Sequence, residues 1–268
     1  MSLQRSHVSY RDGLYRVRKR IKQSNILVIT DRPQAAETAV SAITLHRAML
    51  EAYILRRPEY QHTLNPFKVE EAAPQVVRLA ATAADIAGVG PMAAIPGALA
   101  ELAVGEMLLN KGSNVNLVEN GGEIAASSNR QLTVGIYAGP SPLSGQVGFQ
   151  LQPNDFPLGI ATSSASVSHA LNFGEADAAV VIADSTSMAD AAAKAVCNAV
   201  QGDDREASVQ AGLEAAETIP HVRASIVVRG GYIGAVGRLP RLVRLTGEAE
   251  EMLEAGLHTL TSEKAVLL

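Results

Sequence analysis

The apolar residues between positions 33 and 110 recur every three to four residues, which is the spacing of one face of a helix. Pro33 suits a first helical turn, and the helix that it opens ends before Pro58. Its apolar stripe is interrupted at Arg47. Two further helices are predicted in this region, over Glu71–Ala87 with Pro74 in the first turn and over Ala98–Asn110.

From position 115 to about position 184 the apolar period changes to two, which predicts strands. These strands are predicted at Val115–Glu119, Glu123–Ala126, Leu132–Ala138, Gln146–Leu151, Leu158–Thr162 and Ala178–Ala183. Further strands are predicted at Tyr15–Arg20, Asn25–Thr30, Ala224–Arg229, Tyr232–Arg238 and Leu242–Leu245. Helices are predicted at Met188–Val200 and Arg205–Thr218, and a C-terminal helix and tail from Gly247. Hairpin-like strand connections beside blocks of helix predict an α+β fold, with mostly antiparallel sheets packed with helices.

The predicted organisation is a single domain over residues 1–268, because neither an internal repeat nor a disordered linker interrupts the pattern. The Gly/Pro-rich segment Gly88–Gly97 is the candidate hinge if the domain consists of two lobes.

A formal net charge of −4 gives no reason to expect a nucleic-acid partner. The exception to this acidic balance is a basic strand near the N-terminus, in which Arg16, Arg18 and Arg20 occupy alternate positions. Two interpretations remain open for these arginines. They form either the solvated face of a strand or a phosphate-binding patch.

The sequence also predicts a cytoplasmic protein without a membrane partner. The first ten residues contain no apolar core of a signal peptide, and charges and prolines break the alanine-rich runs before they reach membrane-spanning length. The single cysteine, Cys197, excludes an internal disulfide and is either a small core residue or a thiol near a site. The composition neither requires nor excludes a homodimer.

The first motif of chemical interest is the hairpin around Asn120, Gly121, Gly122 and Glu123. An Asn-Gly pair between two strands indicates a tight turn, because both central residues of such a turn need positive φ. Two glycines also allow backbone N–H groups to approach a phosphate closely. An ordinary hairpin and a ligand-binding turn both fit this spacing.

The second motif is the hydroxyl-rich run from Gly159 to His169, which includes Thr162, Ser163 and Ser164. Hydroxyls at the end of a strand can hold phosphate or ribose oxygens. The alternatives are a polar loop and, for His169, a hydrogen-bonded loop histidine instead of an acid or base.

The third motif begins the helix that contains Asp190. With Ser187 as N-cap, Asp190 occupies the third helical position of a capping box, and it is also spaced for an ion pair with Lys194. A carboxylate at this place could instead bind Mg²⁺ together with water and phosphate oxygens.

The order of these motifs resembles that of ApbE-type proteins, across roughly residues 85–202. The matching segments are the helix from Gly97 to Val104, the hairpin with Gly121-Gly122, the run Ile160–Ser164 and the Met188-Ala189-Asp190-Ala191 helix start. The fit is best to a shorter ApbE-like branch, related to the FAD:protein FMN transferases and found in anaerobic microbes.

The resemblance implies an enzyme that uses Mg²⁺ to move FMN from FAD to a Ser or Thr hydroxyl of a target protein. Asp190 would then be a metal ligand and His169 a catalytic residue. Nucleotide binding would fall to Asn120, Gly121, Gly122, Glu123, Thr162, Ser163 and Ser164. After His169 the chain reads Ala170-Leu171-Asn172, with Asn172 where the family has an aspartate.

Three hypotheses follow for the function. The first is a nucleotide-binding protein that acts as a Mg²⁺-dependent flavin-nucleotide transferase or hydrolase. The second, which the resemblance implies for this branch, is an accessory factor in sulfur assimilation into homocysteine in anaerobes, with a protein partner. The third is a non-catalytic module that binds a small molecule.

Overall fold

We describe the protein from a computed structural model. It describes residues 7–110, 112–138, 141, 144–165, 172–245, 259–260 and 265–267.

The helices and strands alternate in blocks, as the sequence pattern predicts. The helices are α1 (Pro33–Arg56), α2 (Glu59–His62), α3 (Gln75–Ala87), α4 (Ile95–Leu109), α5 (Thr186–Ala199) and α6 (Arg205–Thr218). The first strands are β1 (His7–Arg11), β2 (Leu14–Ile21), β3 (Ser24–Thr30), β4 (Val115–Asn120), β5 (Glu123–Ser128), β6 (Leu132–Gly135) and β7 (Val147–Leu151). The remaining strands are β8 (Leu158–Ser163), β9 (Ala178–Ala183), β10 (Val222–Arg229), β11 (Tyr232–Gly237), β12 (Arg241–Leu245), β13 (Thr259–Leu260) and β14 (Ala265–Leu267).

The chain divides into two compact units, each built from several stretches of sequence. Unit 1 comprises Met1–Asn129, Pro157–Ala161 and Asp184–Ala191. Unit 2 comprises Arg130–Phe156, Thr162–Ala183 and Ala192–Leu268. The prediction of a single domain with a hinge at Gly88–Gly97 stays a prediction, and that segment belongs to unit 1.

Unit 1 contains an antiparallel sheet in the order β1-β2-β3-β4-β5-β8. Its hairpins include the predicted one between β4 and β5, where Asn120 pairs with Glu123. Cross-strand partners lie on one face of the sheet, so the register assigns each side chain to a face. The expected α+β fold with mostly antiparallel sheets is confirmed.

One face of this sheet packs against α1 and α4. The buried cluster joins Ile26, Val28, Val118 and Ala125 of the strands to alanines of both helices and to Ile43, Val104 and Met107. The small alanine side chains let the helix backbones approach the sheet closely, which explains how a chain without tryptophan fills its core.

The opposite face of the same sheet carries a second set of buried side chains, among them Leu27, Ile29 and Leu117. The arginines of β2 lie on this face as well, since Arg18 pairs with Leu27 and Arg16 with Ile29. Arg16 is only 8% exposed. The interpretation of these arginines as a fully solvated strand face is therefore wrong for Arg16.

Unit 2 contains two groups of antiparallel strands. In the first, β10 lies between β9 and β11, and α6 packs against β10 and β11. In the second, the strand order is β13-β6-β7-β12-β14. The predicted C-terminal helix from Gly247 falls mostly outside the described residues, and the described residues beyond it, 259–260 and 265–267, are strands.

Helices α3 and α4 begin at other residues than predicted. Helix α3 begins at Gln75, with Pro74 as its N-cap, not at Glu71. Helix α4 begins at Ile95, directly after a short 3₁₀ helix at Pro91–Ala94, so most of the predicted Gly88–Gly97 connection is helical. Pro91 and Pro96 are compatible with first turns, because the N–H groups of a first turn have no partner within the helix.

Among the described residues, Pro91–Leu109 is the one helical segment long and apolar enough, by length and composition alone, to cross a membrane. More than half of it is buried inside the protein, and α4 packs against α1, α3, β4 and β5. A core helix of a soluble domain has these properties, and Glu101 and Glu106 interrupt the apolar run.

Candidate functional site

One candidate site lies in unit 1, where α4 and α5 begin next to each other. The backbone N–H of Gly97 donates a 2.8 Å hydrogen bond to Oδ2 of Asp190. In return, Oε2 of Glu101 accepts hydrogen bonds from the N–H and the Oγ of Ser187, at 3.0 and 2.7 Å. Each helix thus provides a carboxylate that caps the N-terminus of the other, where N–H groups lack partners and the helix dipole favours negative charge.

The contact between the two helix starts depends on the absence of a side chain at Gly97. A Cβ atom there would lie 2.4 Å from the carbonyl oxygen of Thr186 and 2.8 Å from Cβ of Asp190. A glycine at position 159 on β8 similarly leaves room for Thr186, whose Cα would lie 2.4 Å from an added Cβ. The close approach holds Asp190 in place, and its side chain is 9% exposed.

The predicted capping box differs from the observed helix start. Helix α5 begins at Thr186, and the Oγ of Ser185, not of Ser187, accepts the N–H of Met188 at 3.3 Å. Asp190 therefore lies beyond the first turn of α5 and caps α4 instead. The sequence could not show this because the partner residue, Gly97, lies 93 positions away.

The β4–β5 hairpin joins the same helix start. The side-chain amide of Asn120, which is 3% exposed, donates a 3.0 Å hydrogen bond to the carbonyl oxygen of Pro96. Gly121 and Gly122 have φ values of 77° and 118°, which favour glycine. Nothing lies within 4 Å of a Cβ added at Gly122, so the tip of the hairpin leaves open space beside the backbone.

Three predicted motifs therefore meet at Pro96-Gly97 in unit 1: Asp190, the hairpin residue Asn120 with its two glycines, and the start of α4. Glu123 is also buried, and it pairs with Asn120 across the hairpin. Glu101 and Ser187, which form the second of these caps, were not predicted as site residues. The sequence does not reveal this cap, because Glu101 and Ser187 lie 86 positions apart and only the tertiary structure brings them together.

The number of carboxylates near the starts of α4 and α5 decides how Mg²⁺ could bind there. No group of three or more His, Cys, Asp or Glu side chains among the described residues could hold a metal ion. Mg²⁺ at a nucleotide site ordinarily takes only one or two carboxylates and receives its other ligands from phosphates and water. Asp190 as a single carboxylate fits that arrangement, so Mg²⁺ and nucleotide would have to bind together.

A separate candidate cluster lies in unit 2, at the end of β8. Asn172 connects it: the Oγ of Ser163 donates to Oδ1 of Asn172 at 3.2 Å, and Nδ2 of Asn172 donates to the carbonyl oxygen of Ser164 at 2.6 Å. Lys194 of α5 also donates to Oδ1 of Asn172. Ser163 and Ser164 are each 6% exposed, and Thr162 is half-buried. Within the described part of the hydroxyl-rich run, Ser163 and Ser164 thus belong to a cross-linked polar cluster.

Cys197 lies on α5 beside this cluster and is fully buried. Burial raises the pKa of its thiol, and a hydrogen bond with Ser163 and the charge of Lys194 oppose that shift. Gly174 packs directly on its backbone, since a Cβ there would lie 1.6 Å from the carbonyl oxygen of Cys197. The interpretation of Cys197 as a core residue agrees with this burial.

His169, the predicted catalytic residue, lies outside the described residues. Asn172, which follows it, was noted in the sequence only as a departure from the family's aspartate. Its role in holding Ser163, Ser164 and Lys194 is visible only in the structure.

The fold and these motifs define an ApbE-like α+β protein. The family model described as AbpE bacteria matches residues 6–221, and the chain belongs to that family. The UPF0280 protein of Methanosarcina acetivorans is 38% identical over 235 residues, covering 88% of this chain and 91% of the relative. The UPF0280 protein of Methanothermobacter thermautotrophicus is 44% identical over 198 residues, covering 74% and 76%. The resemblance inferred from the sequence motifs is confirmed.

Solved structures support the same fold. The flavinyl transferase ApbE of Pseudomonas stutzeri in its apo form superposes with a TM-score of 0.54 at 14% identity, covering 88% of this chain and 96% of that chain. The flavin transferase ApbE of Vibrio cholerae gives a TM-score of 0.54 at 13% identity, with coverage of 87% and 97%. At this identity the likeness concerns the fold alone.

Proposed function

We propose that this protein binds a flavin dinucleotide together with Mg²⁺ and acts on its pyrophosphate as a transferase or hydrolase, in the cytoplasm. The observation that carries the proposal is the meeting of Asp190 and Asn120 at the start of α4, with the Gly121-Gly122 turn directly after Asn120 in the chain. The solved structures of flavin transferases with the same fold add support.

Each residue of the unit 1 site has a separate proposed role. Gly122 leaves space for a phosphate beside the hairpin backbone, and its own N–H would stabilise negative charge there. The N–H of Gly121 is engaged elsewhere, since it donates to the carbonyl oxygen of Asn25 at 3.2 Å. The contact with Gly97 fixes the orientation of the Asp190 carboxylate, which would hold the metal. Bound Mg²⁺ would neutralise charge on the phosphoryl group as the pyrophosphate is cleaved.

In unit 2, Ser163 and Ser164 would contact ribose or phosphate oxygens, and Lys194 would add positive charge near them. Asn172 orients all three. A hydroxyl acceptor would make the protein a transferase that releases AMP, whereas water as acceptor would release both FMN and AMP.

The test is a calorimetric titration of FAD into the purified protein with and without Mg²⁺, followed by chromatography of the nucleotides. Asp190→Asn retains an oxygen acceptor for the Gly97 N–H but removes the charge, so it is expected to abolish the Mg²⁺ dependence. Asp85→Asn is the matched control, because Asp85 is exposed on α3. No FAD binding by the wild-type protein under either condition would refute the proposal.

Two alternatives are separated by the same experiment. Tight FAD binding without release of FMN or AMP, and without a flavinylated acceptor, would identify a non-catalytic binding module. A role in sulfur assimilation through a sulfur-carrying thiol is opposed by the burial of Cys197 and its raised pKa. An accessory role through a protein partner would remain the hypothesis if FAD does not bind.

A further inference from the structure

A row of arginines crosses the face of the unit 1 sheet that does not pack against α1 and α4. The register assigns Arg16, Arg18 and Arg20 to this face, opposite the face that carries Ile26 and Asn120. Because Asn120 contacts the start of α4, the arginine face is separated by the sheet itself from the candidate site at Asp190.

The surroundings of these arginines are mostly cationic or neutral. His7 on β1 pairs directly with Arg18, and Ser9 pairs with Arg16. Among the described residues, Asp12 and Glu119 carry carboxylates on this side of the sheet. Asp12 in the β1–β2 turn forms an ion pair with Arg11 at 3.5 Å. Glu119 shares the cross-strand row of Arg18 but lies two strands away, beyond Leu27, at about 10 Å between Cα atoms.

Arg16 and Arg18 are not ordinary surface arginines. Arg16 is 8% exposed and its Nη1 donates to the carbonyl oxygen of Arg11 at 3.1 Å. Burial lowers the pKa of Arg16, against the charge of Asp12, and the charges of Arg11 and Arg18 lower it further. Arg18 is half-buried, and its guanidinium makes no hydrogen bond or ion pair with any other part of the chain that the structure describes.

A half-buried arginine beside other cations lowers the stability of the fold unless an anion pairs with its guanidinium group. Like charges on neighbouring positions repel, and partial burial weakens the screening by water. Arg18 is half-buried on this face, between Arg16 and Arg20 along β2. The strand rise places the Cα atoms of successive arginines in this row about 7 Å apart.

We propose that this face of β2 is a second binding site, separate from the candidate flavin site, and that it takes a ligand bearing a phosphoryl group. Arg18 is the principal contact, with Arg16 and His7 beside it. Guanidinium groups recognise phosphate oxygens through paired N–H donors, which is more specific than the attraction of a point charge.

Inorganic pyrophosphate is the probe, titrated calorimetrically into the full-length protein at low and moderate salt. Arg18→Gln is expected to weaken binding by about tenfold or more, since a hydrogen bond to a charged group is lost. Arg18→Lys keeps the charge and the fold but loses the paired donors, so an intermediate loss is expected. Lys19→Gln removes the same charge from the other face of β2 and should leave the affinity unchanged.

Three outcomes would overturn this proposal: no binding of pyrophosphate, equal losses in Arg18→Gln and Lys19→Gln, or equally tight binding of citrate with the same dependence on Arg18. The result is independent of the proposed function. FAD binding that persists in Arg18→Gln is expected, and a failure of FAD to bind would leave an Arg18-dependent pyrophosphate site intact.

Discussion

The backbone N–H of Gly97 and the carboxylate of Asp190, 93 positions apart, form a 2.8 Å hydrogen bond that joins the starts of α4 and α5. Asp190 is 9% exposed. The residue that the family resemblance marks as a metal ligand is therefore also a structural cap. Any test of its chemistry has to separate the charge of the carboxylate from its role as a hydrogen-bond acceptor.

Substitution of Gly97 by alanine should destabilise the protein, because the new Cβ would lie 2.4 Å from the carbonyl oxygen of Thr186. Overpacking of this kind lowers the free energy of unfolding by about 1–3 kcal/mol, measured by urea denaturation. Gly105→Ala is the matched control in the same helix, since nothing lies within 4 Å of its Cβ. That variant should be as stable as the wild type or more so. Equal behaviour of the two variants would contradict the observed helix contact.

Substitutions of Asp190 should lower the free energy of unfolding most when they remove the hydrogen-bond acceptor of the Gly97 N–H. Asp190→Ala leaves the buried N–H of Gly97 without its partner, and a loss of about 1–3 kcal/mol in the free energy of unfolding is expected. Asp190→Asn should lose less, because its amide oxygen can accept the same hydrogen bond. Asp85→Ala, on the exposed face of α3, should stay within about 0.5 kcal/mol of the wild type. A stable Asp190→Ala variant would show that the cap is energetically unimportant.

The second cap should show energetic coupling between its partners. Glu101→Gln removes the charge of the acceptor in the hydrogen bonds at 2.7 and 3.0 Å, and Ser187→Ala removes the Oγ donor of the 2.7 Å bond. Because both changes act on that bond, their effects on the free energy of unfolding should not add. A double-mutant cycle is expected to give a coupling of about 0.5–3 kcal/mol. Additive losses would mean that the two side chains act independently. Glu101→Gln combined with the exposed change Glu37→Gln should be additive.

His46 should make the stability depend on pH on the acid side. Burial lowers the pKa of His46 from its usual 6.5, although the charge of Glu106 opposes the shift, and Nδ1 has no hydrogen-bond partner among the described residues. The unfolded chain then binds the proton more tightly than the folded protein. The contribution to stability is thus present above pH 6.5 and is lost as the pH falls toward the lowered value.

Thermal melting between pH 7.5 and about pH 5 checks this dependence. His46→Gln should flatten the fall of Tm with decreasing pH, whereas the control His62→Gln, at an exposed position, should not. The prediction fails if both variants follow the wild-type curve.

Cys197 should react slowly with a thiol reagent in the native protein. Its side chain is fully buried and its pKa is raised by burial, so the thiolate is scarce and shielded. The rate with Ellman's reagent should increase about a hundredfold or more on denaturation, because reaction requires local or global opening. Thr44→Cys in a Cys197→Ser background, at an exposed position of α1, provides the fast-reacting control. A native Cys197 thiol that reacts as fast as the thiol introduced in that control would contradict the observed burial.

The sequence predicted those structural features that depend on interactions between residues close together in the chain. The change from helical spacing to alternation identified most strands and helices to within a few residues. Asn120-Gly121 indicated the β4–β5 hairpin because positive φ is a local requirement. The short element α2 and the edge strand β1 were missed. The first has only four residues, and the second is exposed on both faces, so neither has a hydrophobic period.

By itself, the sequence determined the fold class, the order of the motifs and the family, since these depend on patterns that can be read along one dimension. Tertiary structure decided which atoms those motifs contact. In the folded protein the Asp190 carboxylate accepts a hydrogen bond from Gly97 of α4, not from its own helix. Arg16 is buried, although the alternating pattern suggested a solvated strand face. Asn172 forms hydrogen bonds with both Ser163 and Ser164. The physical reason is that capping, burial and charge pairing depend on distances between residues far apart in the chain, which only the packed fold sets.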